Sequence, residues 1–389
     1  MTRPTHFQAA QRMAQIEPFH VMEMMRRAAE LETQGRDILH LEVGEPDFAT
    51  AEPIIAAGIS ALQAAETHYT LARGRIQLRQ KISNWYQQRY HASVDPERIQ
   101  VTVGASGALQ MVCWSLINPG DEVLLVDPGY PCNQNFVRLA GGTPVLLPTS
   151  ASNGWKCTPE QIDAAITSKT RALLIASPNN PTGTVMSRQQ LTDIARLCEG
   201  HKIALIVDEI YGGLIYDQAD FSACELGSEV FVINSFSKYF GMTGWRLGWV
   251  VSPERFVRPL EKLAQNLVIS PPTISQFAAE VAFEPATIAI LEQRRQQFQQ
   301  RRDYLLKTLP NLGFKIESCP GGAFYIFAEI TQLQRSSNDL CQHILEQAGV
   351  ALTPGLDFSR DHADNHVRLA YTIDMADLKT AVQRIAAVV

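Results

Sequence analysis

Residues 203–211 read IALIVDEIY, an apolar run rich in β-branched residues that ends in two acidic side chains and a tyrosine. A run of this length without polar alternation is typical of a strand that is buried on both faces of a parallel sheet. Similar runs at 171–175 and 230–233 are followed by the polar stretches SPNNPTG (177–183) and SFSK (235–238). Because open α/β sheets bind ligands at the carboxyl ends of their strands, we expect these stretches to form one pocket.

Strand and helix patterns alternate along the chain after residue 50. Apolar residues recur at helical spacing in three segments, and two short apolar runs between them have the length and composition of strands. The predicted helices are 52–65, 77–90 and 106–116, and the predicted strands are 99–103 and 122–126. Strands that alternate with helices imply βαβ units, so we predict an α/β fold with a mostly parallel central sheet and helices on both faces.

The length of 389 residues indicates two domains, because one hydrophobic core rarely extends over more than about 250–300 residues. We predict a large domain at 48–284 that contains the parallel sheet, and a smaller α+β domain built from 1–47 and 285–389. A long amphipathic helix near 285–309 is expected to link them. In the smaller domain the predicted strands are 314–316, 323–328, 350–352 and 367–372, and the predicted helices are 339–348 and 375–389.

Composition and charge argue against several classes of partner. The formal net charge is −6 and the 34 Lys and Arg residues are dispersed, so we expect no nucleic-acid partner. No run approaches the roughly 18 apolar residues that span a membrane, and the N-terminus has no apolar signal core; we therefore expect no membrane partner and a cytoplasmic location. Seven cysteines without a close pair fit reduced thiols better than disulfides.

One pair of histidines has the spacing of metal ligands. His362 and His366 lie four residues apart beside Asp361 and Asp364, and a helix would bring both imidazoles to one face. Gly355 and the Asp- and Asn-rich composition favour a polar loop instead. We therefore predict no metal site and expect both histidines at the surface.

Lys238 and Asp208 stand at the ends of two buried apolar runs. A partly desolvated lysine has a lowered pKa and becomes a nucleophile. An isolated carboxylate at the end of the most hydrophobic strand is costly unless it meets a cation. Taken alone, each residue has a simpler interpretation, because Lys238 would be a solvated lysine and Asp208 a helix N-cap.

The stretch 104–107, GASG, stands between a predicted strand and a predicted helix. Free backbone N–H groups at a helix N-terminus attract phosphate, although a plain serine N-cap would explain this stretch equally well. The pattern is not the dinucleotide fingerprint G-x-G-x-x-G. An arginine nearby would bind a dianion through two parallel hydrogen bonds. The predicted dianion cradle consists of Gly104, Ala105, Ser106, Ser235 and Arg246.

Taken in order, the stretches 104–107, 177–183, 208–211 and 235–238 with Arg246 resemble the pocket of class I and II aminotransferases of fold type I. The resemblance runs from the motif GEPDF at 44–48 to HVR at 366–368, and so covers nearly the whole chain. It implies pyridoxal 5′-phosphate (PLP) as the cofactor. By resemblance, Lys238 carries the PLP and shuttles a proton, and Asp208 keeps the pyridine nitrogen protonated so that the ring draws electrons from the substrate.

The resemblance implies further contacts to the cofactor. Tyr211 and Asn180 resemble the residues that hydrogen-bond its phenolic oxygen, and Tyr130 resembles the ring that stacks on its face. Tyr69 resembles the tyrosine that reaches the cofactor phosphate of the neighbouring subunit, which implies a homodimer with shared active sites. Without the other motifs, Tyr130 would be interpreted as a surface tyrosine in a turn and Asn180 as an Asn-Pro turn residue.

The same resemblance implies how substrate binds. Arg368 resembles the arginine that holds the substrate α-carboxylate, with Gly44 and Asn180 beside it. Because Gly44 and Arg368 fall in the predicted smaller domain, we expect the cleft to close on the substrate. Some aspartate aminotransferases carry a lysine where Ser106 stands, and others use a partner arginine that the stretch QNLVIS at 265–270 does not offer. A dicarboxylate amino donor is therefore disfavoured.

The implied function is the transfer of an amino group from an L-amino acid to a 2-oxo acid by a ping-pong mechanism. A PLP-dependent carbon–sulfur β-lyase on the same fold is the alternative within the cofactor class. A regulator that senses PLP is an alternative from another class, but such regulators carry a DNA-binding module ahead of this domain. This chain begins almost directly with the enzyme-like part.

Overall fold

The computed structural model describes residues 8–16 and 18–389. Its strands are β1 (Leu39–His40), β2 (Ile99–Thr102), β3 (Glu122–Asp127), β4 (Thr143–Pro148), β5 (Thr170–Ala176), β6 (Ala204–Asp208), β7 (Val230–Ser235), β8 (Gly248–Val251), β9 (Tyr325–Glu329), β10 (Val350–Ala351), β11 (Thr353–Pro354) and β12 (His366–Ala370). Its α-helices are α1 (His20–Thr33), α2 (Glu52–Gln63), α3 (Ile76–Tyr90), α4 (Gly104–Leu116), α5 (Cys132–Leu139), α6 (Pro159–Ala165), α7 (Arg188–His201), α8 (Glu254–Leu267), α9 (Thr273–Glu280), α10 (Pro285–Thr308), α11 (Ser337–Ala348) and α12 (Met375–Ala386).

The central sheet has seven strands in the order β2-β8-β7-β6-β5-β3-β4. β8 runs antiparallel to β2 and β7, and every other neighbouring pair is parallel. The carboxyl ends of β2, β3, β5, β6 and β7 therefore lie at the same edge of the sheet. The prediction of an α/β fold with a mostly parallel central sheet is confirmed.

Alternate residues of the central strands feed two separate cores. Along β5, Leu173 and Ile175 pack into one core together with residues of α3 and α7, whereas Ala172 and Leu174 pack into a second core with residues of α4, α5 and α8. This division follows from the two-residue side-chain period of a strand. Because both faces are covered by helices, the strands have no polar alternation, which explains the continuous apolar runs in the sequence.

Two smaller sheets lie outside the central sheet. β1 pairs in parallel with β10, and β11-β12-β9 form an antiparallel sheet. The strands of these two sheets lie within residues 39–40 and 325–370. In the sequence, α10 lies between the last strand of the central sheet and β9, at the position predicted for the linking helix. The division into domains at 48 and 284 remains a prediction.

Two local expectations are wrong. The predicted strand at 314–316 is only an isolated bridge, because in the described chain Lys315 and Glu329 exchange the only two backbone hydrogen bonds between this segment and β9. His366 is buried rather than exposed: it lies in β12, which pairs on both sides, and its ring stacks on Phe327 at 4.7 Å between centroids. His362 stays partly exposed in the loop before β12.

Among the described residues, no single helix has both the length and the apolar content needed to cross a membrane. Two consecutive helical segments, Thr273–Phe283 and Pro285–Leu312, meet these criteria only as a pair and are bent by 83° where they join. All seven cysteines are free thiols.

Candidate active site

A cavity of about 380 Å³ opens at the carboxyl ends of the central strands. Ten of the predicted site residues line it: Gly44, Ala105, Ser106, Tyr130, Asn180, Asp208, Tyr211, Lys238, Arg246 and Arg368. These residues come from positions spread over more than 300 residues of sequence. The fold thus brings together most of the set that the sequence singles out.

A larger cavity of about 840 Å³ lies near the amino ends of β6 and β7, at the opposite edge of the sheet. Arginines line it, but Arg188 pairs with Glu225 and Arg255 pairs with Glu229. None of the predicted site residues lies there. We therefore assign the candidate site to the smaller cavity.

Asp208 is the last residue of β6, and its side chain is buried, with 4% of the residue exposed. Its Oδ1 atom accepts a hydrogen bond from the backbone N–H of Ile210 at 3.0 Å, and no cationic side chain among the described residues pairs with it. Burial raises the pKa of Asp208 to about 7, because the charged form loses its hydration. The carboxylate is thus placed to bind a cation that enters the cavity.

Lys238 follows β7 by three residues, and its side chain reaches the segment that contains Gly44. Its Nζ atom donates a hydrogen bond to the carbonyl oxygen of Gly44 at 2.5 Å. Burial lowers the pKa of Lys238 to about 8, Glu45 opposes this shift, and the positive charges of Arg368 and Arg246 add to it. A larger neutral fraction makes this amine a better nucleophile near neutral pH.

Arg368 lies in β12 with only 5% of its surface exposed. Its Nη1 atom donates to Oδ1 of Asn180 at 2.9 Å, and Nη2 donates to the backbone carbonyl oxygen of Glu42. Its Nε atom has no hydrogen-bond partner, and no carboxylate among the described residues forms an ion pair with it. Neutral acceptors therefore orient the guanidinium group and leave its charge available for an anion.

The predicted dianion cradle is assembled in part. Gly104 begins α4 with φ of +70°, and a Cβ atom there would stand 2.8 Å from Nη2 of Arg246. Arg246 donates to the carbonyl oxygen of Thr243 at 2.9 Å and pairs with no carboxylate in the described chain. Ser235 lies behind the wall, with its Oγ 2.9 Å from Oγ of Ser237. Ser237, which the sequence argument passed over, lines the cavity instead.

Comparison with known proteins decides the family. The family model described as aminotransferase class I and II matches residues 36–385. The chain is 38% identical over 379 residues to the (5-formylfuran-3-yl)methyl phosphate transaminase of Methanocaldococcus jannaschii, covering 97% of this chain and 98% of that one. It is 34% identical to the valine–pyruvate aminotransferase of Mycobacterium tuberculosis, covering 96% of each. The chain belongs to the class I and II aminotransferase family.

The fold of this aminotransferase agrees with a solved structure. It matches the aspartate aminotransferase of Thermus thermophilus with maleate at a TM-score of 0.93 and 35% identity, covering 99% of this chain and 100% of that one. The similarity over the full length confirms the family resemblance and the fold class. The protein is therefore a transaminase that acts on amino acids and 2-oxo acids, and the comparisons do not favour the β-lyase alternative.

Tyr325 is a wall residue of this aminotransferase that the sequence argument missed. Its hydroxyl group lies 2.8 Å from that of Tyr211, and the guanidinium carbon of Arg368 lies 4.4 Å from the centre of its ring. The ring thus touches both a predicted cofactor contact and the predicted substrate arginine. The available signal was the aromatic pair in the predicted strand 323–328, which reads as core packing when taken alone.

An apolar wall of the aminotransferase cavity comes from the start of α1 and the residue before it. The segment has no motif, so the sequence offered no reason to place it at the site. It contributes Phe19, Val21, Met22 and Met25. The ring centroid of Phe19 lies 6.4 Å from that of Tyr130, so the two rings are neighbours in the lining.

Tyr69 stands apart from the cavity of its own chain. It is 77% exposed, and it lies in the loop between α2 and α3. A single chain therefore does not bring Tyr69 to the other predicted site residues.

Proposed function

We propose that this aminotransferase binds PLP in the 380 Å³ cavity and uses it in a ping-pong transfer from an L-amino acid to a 2-oxo acid. The observation that carries the proposal is the pairing of a buried, cation-free carboxylate, Asp208, with a partly neutral amine, Lys238, in one cavity. Few ligands need both groups, and PLP offers a pyridinium nitrogen to the carboxylate and an aldehyde to the amine.

The residues present fit PLP at each of its polar groups. Asp208 would hold the pyridinium nitrogen, and Tyr211 with Asn180 would hold the phenolic oxygen. Arg246 and the N-terminal N–H groups of α4 would hold the phosphate. When bound, PLP supplies an electron sink that weakens the bonds to the substrate Cα.

The remaining chemistry belongs to side chains of the protein. Arg368, oriented by Asn180, would bind the substrate α-carboxylate and so fix the position of Cα. Lys238 would remove the proton from Cα and return a proton in the reverse direction, for which a pKa near neutrality is suitable.

We also propose a homodimer in which Tyr69 completes the site of the partner subunit. Tyr69 and Leu71 are exposed, as are the apolar residues at 267–269. Hydrogen bonds from Thr273 to the carbonyl oxygen of His68 and from Gln276 to Thr70 hold these two segments together. The resulting exposed apolar surface supports an interface with a second copy.

The test is a half-reaction without an acceptor. The PLP-loaded protein is mixed with single amino acids, and release of the corresponding 2-oxo acid is measured in amounts up to one per active site. Lack of release with every amino acid would refute the proposal. Cystathionine is included as a substrate, because release of pyruvate and ammonia from it would favour the β-lyase alternative.

A further inference from the structure

The first turn of α1 is held by a carboxylate from the far end of the chain. Asp357 Oδ1 accepts a hydrogen bond from the N–H of His20 at 2.7 Å, and Oδ2 accepts one from the N–H of Val21 at 2.8 Å. The N-cap residue itself, Phe19, makes no side-chain cap. A residue 336 positions away from Val21 thus supplies the cap that the local sequence lacks.

The short segment formed by Asp357 and Phe358 joins three walls of the cavity. Asp357 binds α1, and the ring of Phe358 lies 4.7 Å from the guanidinium carbon of Arg368. The carbonyl oxygen of Phe358 accepts a hydrogen bond from the N–H of Gly129 at 3.0 Å, next to Tyr130. The position of the α1 wall is therefore tied to the position of the predicted carboxylate-binding arginine.

The chemistry of this wall indicates what it contacts. Phe19, Val21, Met22 and Met25 present carbon and sulfur atoms to the cavity. The cations in the lining are Lys238, Arg246 and Arg368, each of which already has a proposed partner. Among the described residues of this chain the lining offers no further cation, so a second substrate carboxylate would find no counter-ion from this chain.

We propose, on the basis of the proposed function, that Asp357 is a positioning residue that fixes the α1 wall and thereby selects amino donors with extended apolar side chains. Asp357 touches neither reacting atoms nor the α-carboxylate in this arrangement. It acts through the first turn of α1. Loss of the cap frees two N–H groups and loosens the turn that carries the wall.

The effect must depend on the length of the substrate side chain. The methyl group of alanine ends one bond from Cα and should not reach the wall, whereas the longer side chains of phenylalanine and methionine should extend to it. One methylene group in an apolar pocket changes kcat/KM by about 10- to 200-fold. A displaced wall should therefore reduce kcat/KM for phenylalanine and methionine and spare alanine.

The experiment compares Asp357→Ala and Asp357→Asn with the wild-type holoenzyme, using alanine, phenylalanine, methionine and glutamate as donors. The wild type should prefer phenylalanine and methionine to glutamate by about tenfold or more. Asp357→Ala should lose about tenfold or more in kcat/KM for phenylalanine, mainly through KM, and less than about threefold for alanine. Asp357→Asn keeps one acceptor oxygen, so its kcat/KM for phenylalanine should lie between those of the wild type and Asp357→Ala. The cofactor absorbance should be the same in all three proteins.

Asp374→Ala is the matched control. Asp374 caps α12 through hydrogen bonds from Ala376 and Asp377 at 2.8 and 2.9 Å, and it does not line the cavity. Its loss should leave the ratio of kcat/KM for phenylalanine to kcat/KM for alanine unchanged. Equal losses in kcat/KM for phenylalanine and alanine in Asp357→Asn would overturn this inference but not the proposed function. A wild-type preference for glutamate would do the same. A wild type that reacts with no donor would instead refute the proposed function.

Discussion

Gly44 and Tyr325 share a space that admits only one side chain. A Cβ atom on Gly44 would lie 2.0 Å from the hydroxyl oxygen of Tyr325 and 3.0 Å from the ring carbon that carries it. The same hydroxyl group lies 2.8 Å from that of Tyr211, and the carbonyl oxygen of Gly44 accepts the hydrogen bond from Lys238. The glycine therefore allows Tyr325 to approach the backbone beside the amine of Lys238.

Gly44→Ala should lower kcat/KM by about 10²-fold, because displacing a wall group by about 1 Å is enough for such a loss. Tyr325→Phe removes the atom in the closest clash, so the double variant should lose less than the product of the two single losses. Steady-state kinetics on the four proteins measures this coupling. Gly200→Ala is the control, because among the described residues no atom outside its chain neighbours and its own helix backbone lies within 4 Å of the added Cβ. If the loss in kcat/KM of the double variant equalled the product of the two single losses, Gly44 and Tyr325 would not compete for the same space.

Lys238→Ala should retain the fold and lose at least about 10³-fold in kcat, because both the covalent attachment and the proton transfer disappear. Turnover is measured with the best donor, and thermal unfolding checks the fold. Lys202→Ala changes an exposed lysine at the end of α7 and should leave turnover unchanged. Turnover of Lys238→Ala near that of the wild type would exclude this residue from catalysis.

The parts of the site that follow a strand were accessible from the sequence. Asp208 comes directly after one apolar run and Lys238 shortly after another, and the carboxyl ends of parallel strands meet at one edge whatever their order in the sheet. Several helices were predictable for a different reason, because the apolar spacing of a helix is local in the sequence. The predicted and observed ranges of α10, 285–309 and Pro285–Thr308, differ by one residue.

The parts that depend on contacts between distant segments were not accessible. Nothing near Phe19 indicates that Asp357 caps α1, because the two lie more than 330 residues apart. Tyr325 reads as a core aromatic until Gly44 is placed against it. His366 reads as polar loop until β12 is paired on both sides, which buries it.

Arg368→Lys should lower kcat/KM by about 10²-fold for every amino donor, because an ammonium group replaces a planar fork but keeps the charge. The loss should be the same for alanine and phenylalanine, since both carry the α-carboxylate. Kinetics with the two donors measures the ratio, and the cofactor absorbance should not change. A loss confined to phenylalanine would place Arg368 at the side chain of the substrate instead.

Asp208 should make the stability of the cofactor-free protein depend on pH in a defined direction. Its pKa is raised to about 7 in the folded state, above its ordinary value near 4, so the folded protein keeps a proton that the unfolded chain loses. The free energy of unfolding contributed by this group therefore falls as the pH rises from about 4 through 7.

The asparagine in Asp208→Asn cannot ionise. The free energy of unfolding of this variant, relative to that of the wild type, should therefore be higher at pH 8 than at pH 5 by about 1 to 3 kcal/mol. Urea unfolding of both cofactor-free proteins at the two pH values measures this difference. Asp377→Asn changes an exposed carboxylate and should show no such difference. Addition of PLP should then stabilise the wild type more than Asp208→Asn, because only the carboxylate can pair with a cationic ring nitrogen. If PLP raised the free energy of unfolding of Asp208→Asn as much as that of the wild type, Asp208 would not bind the cofactor.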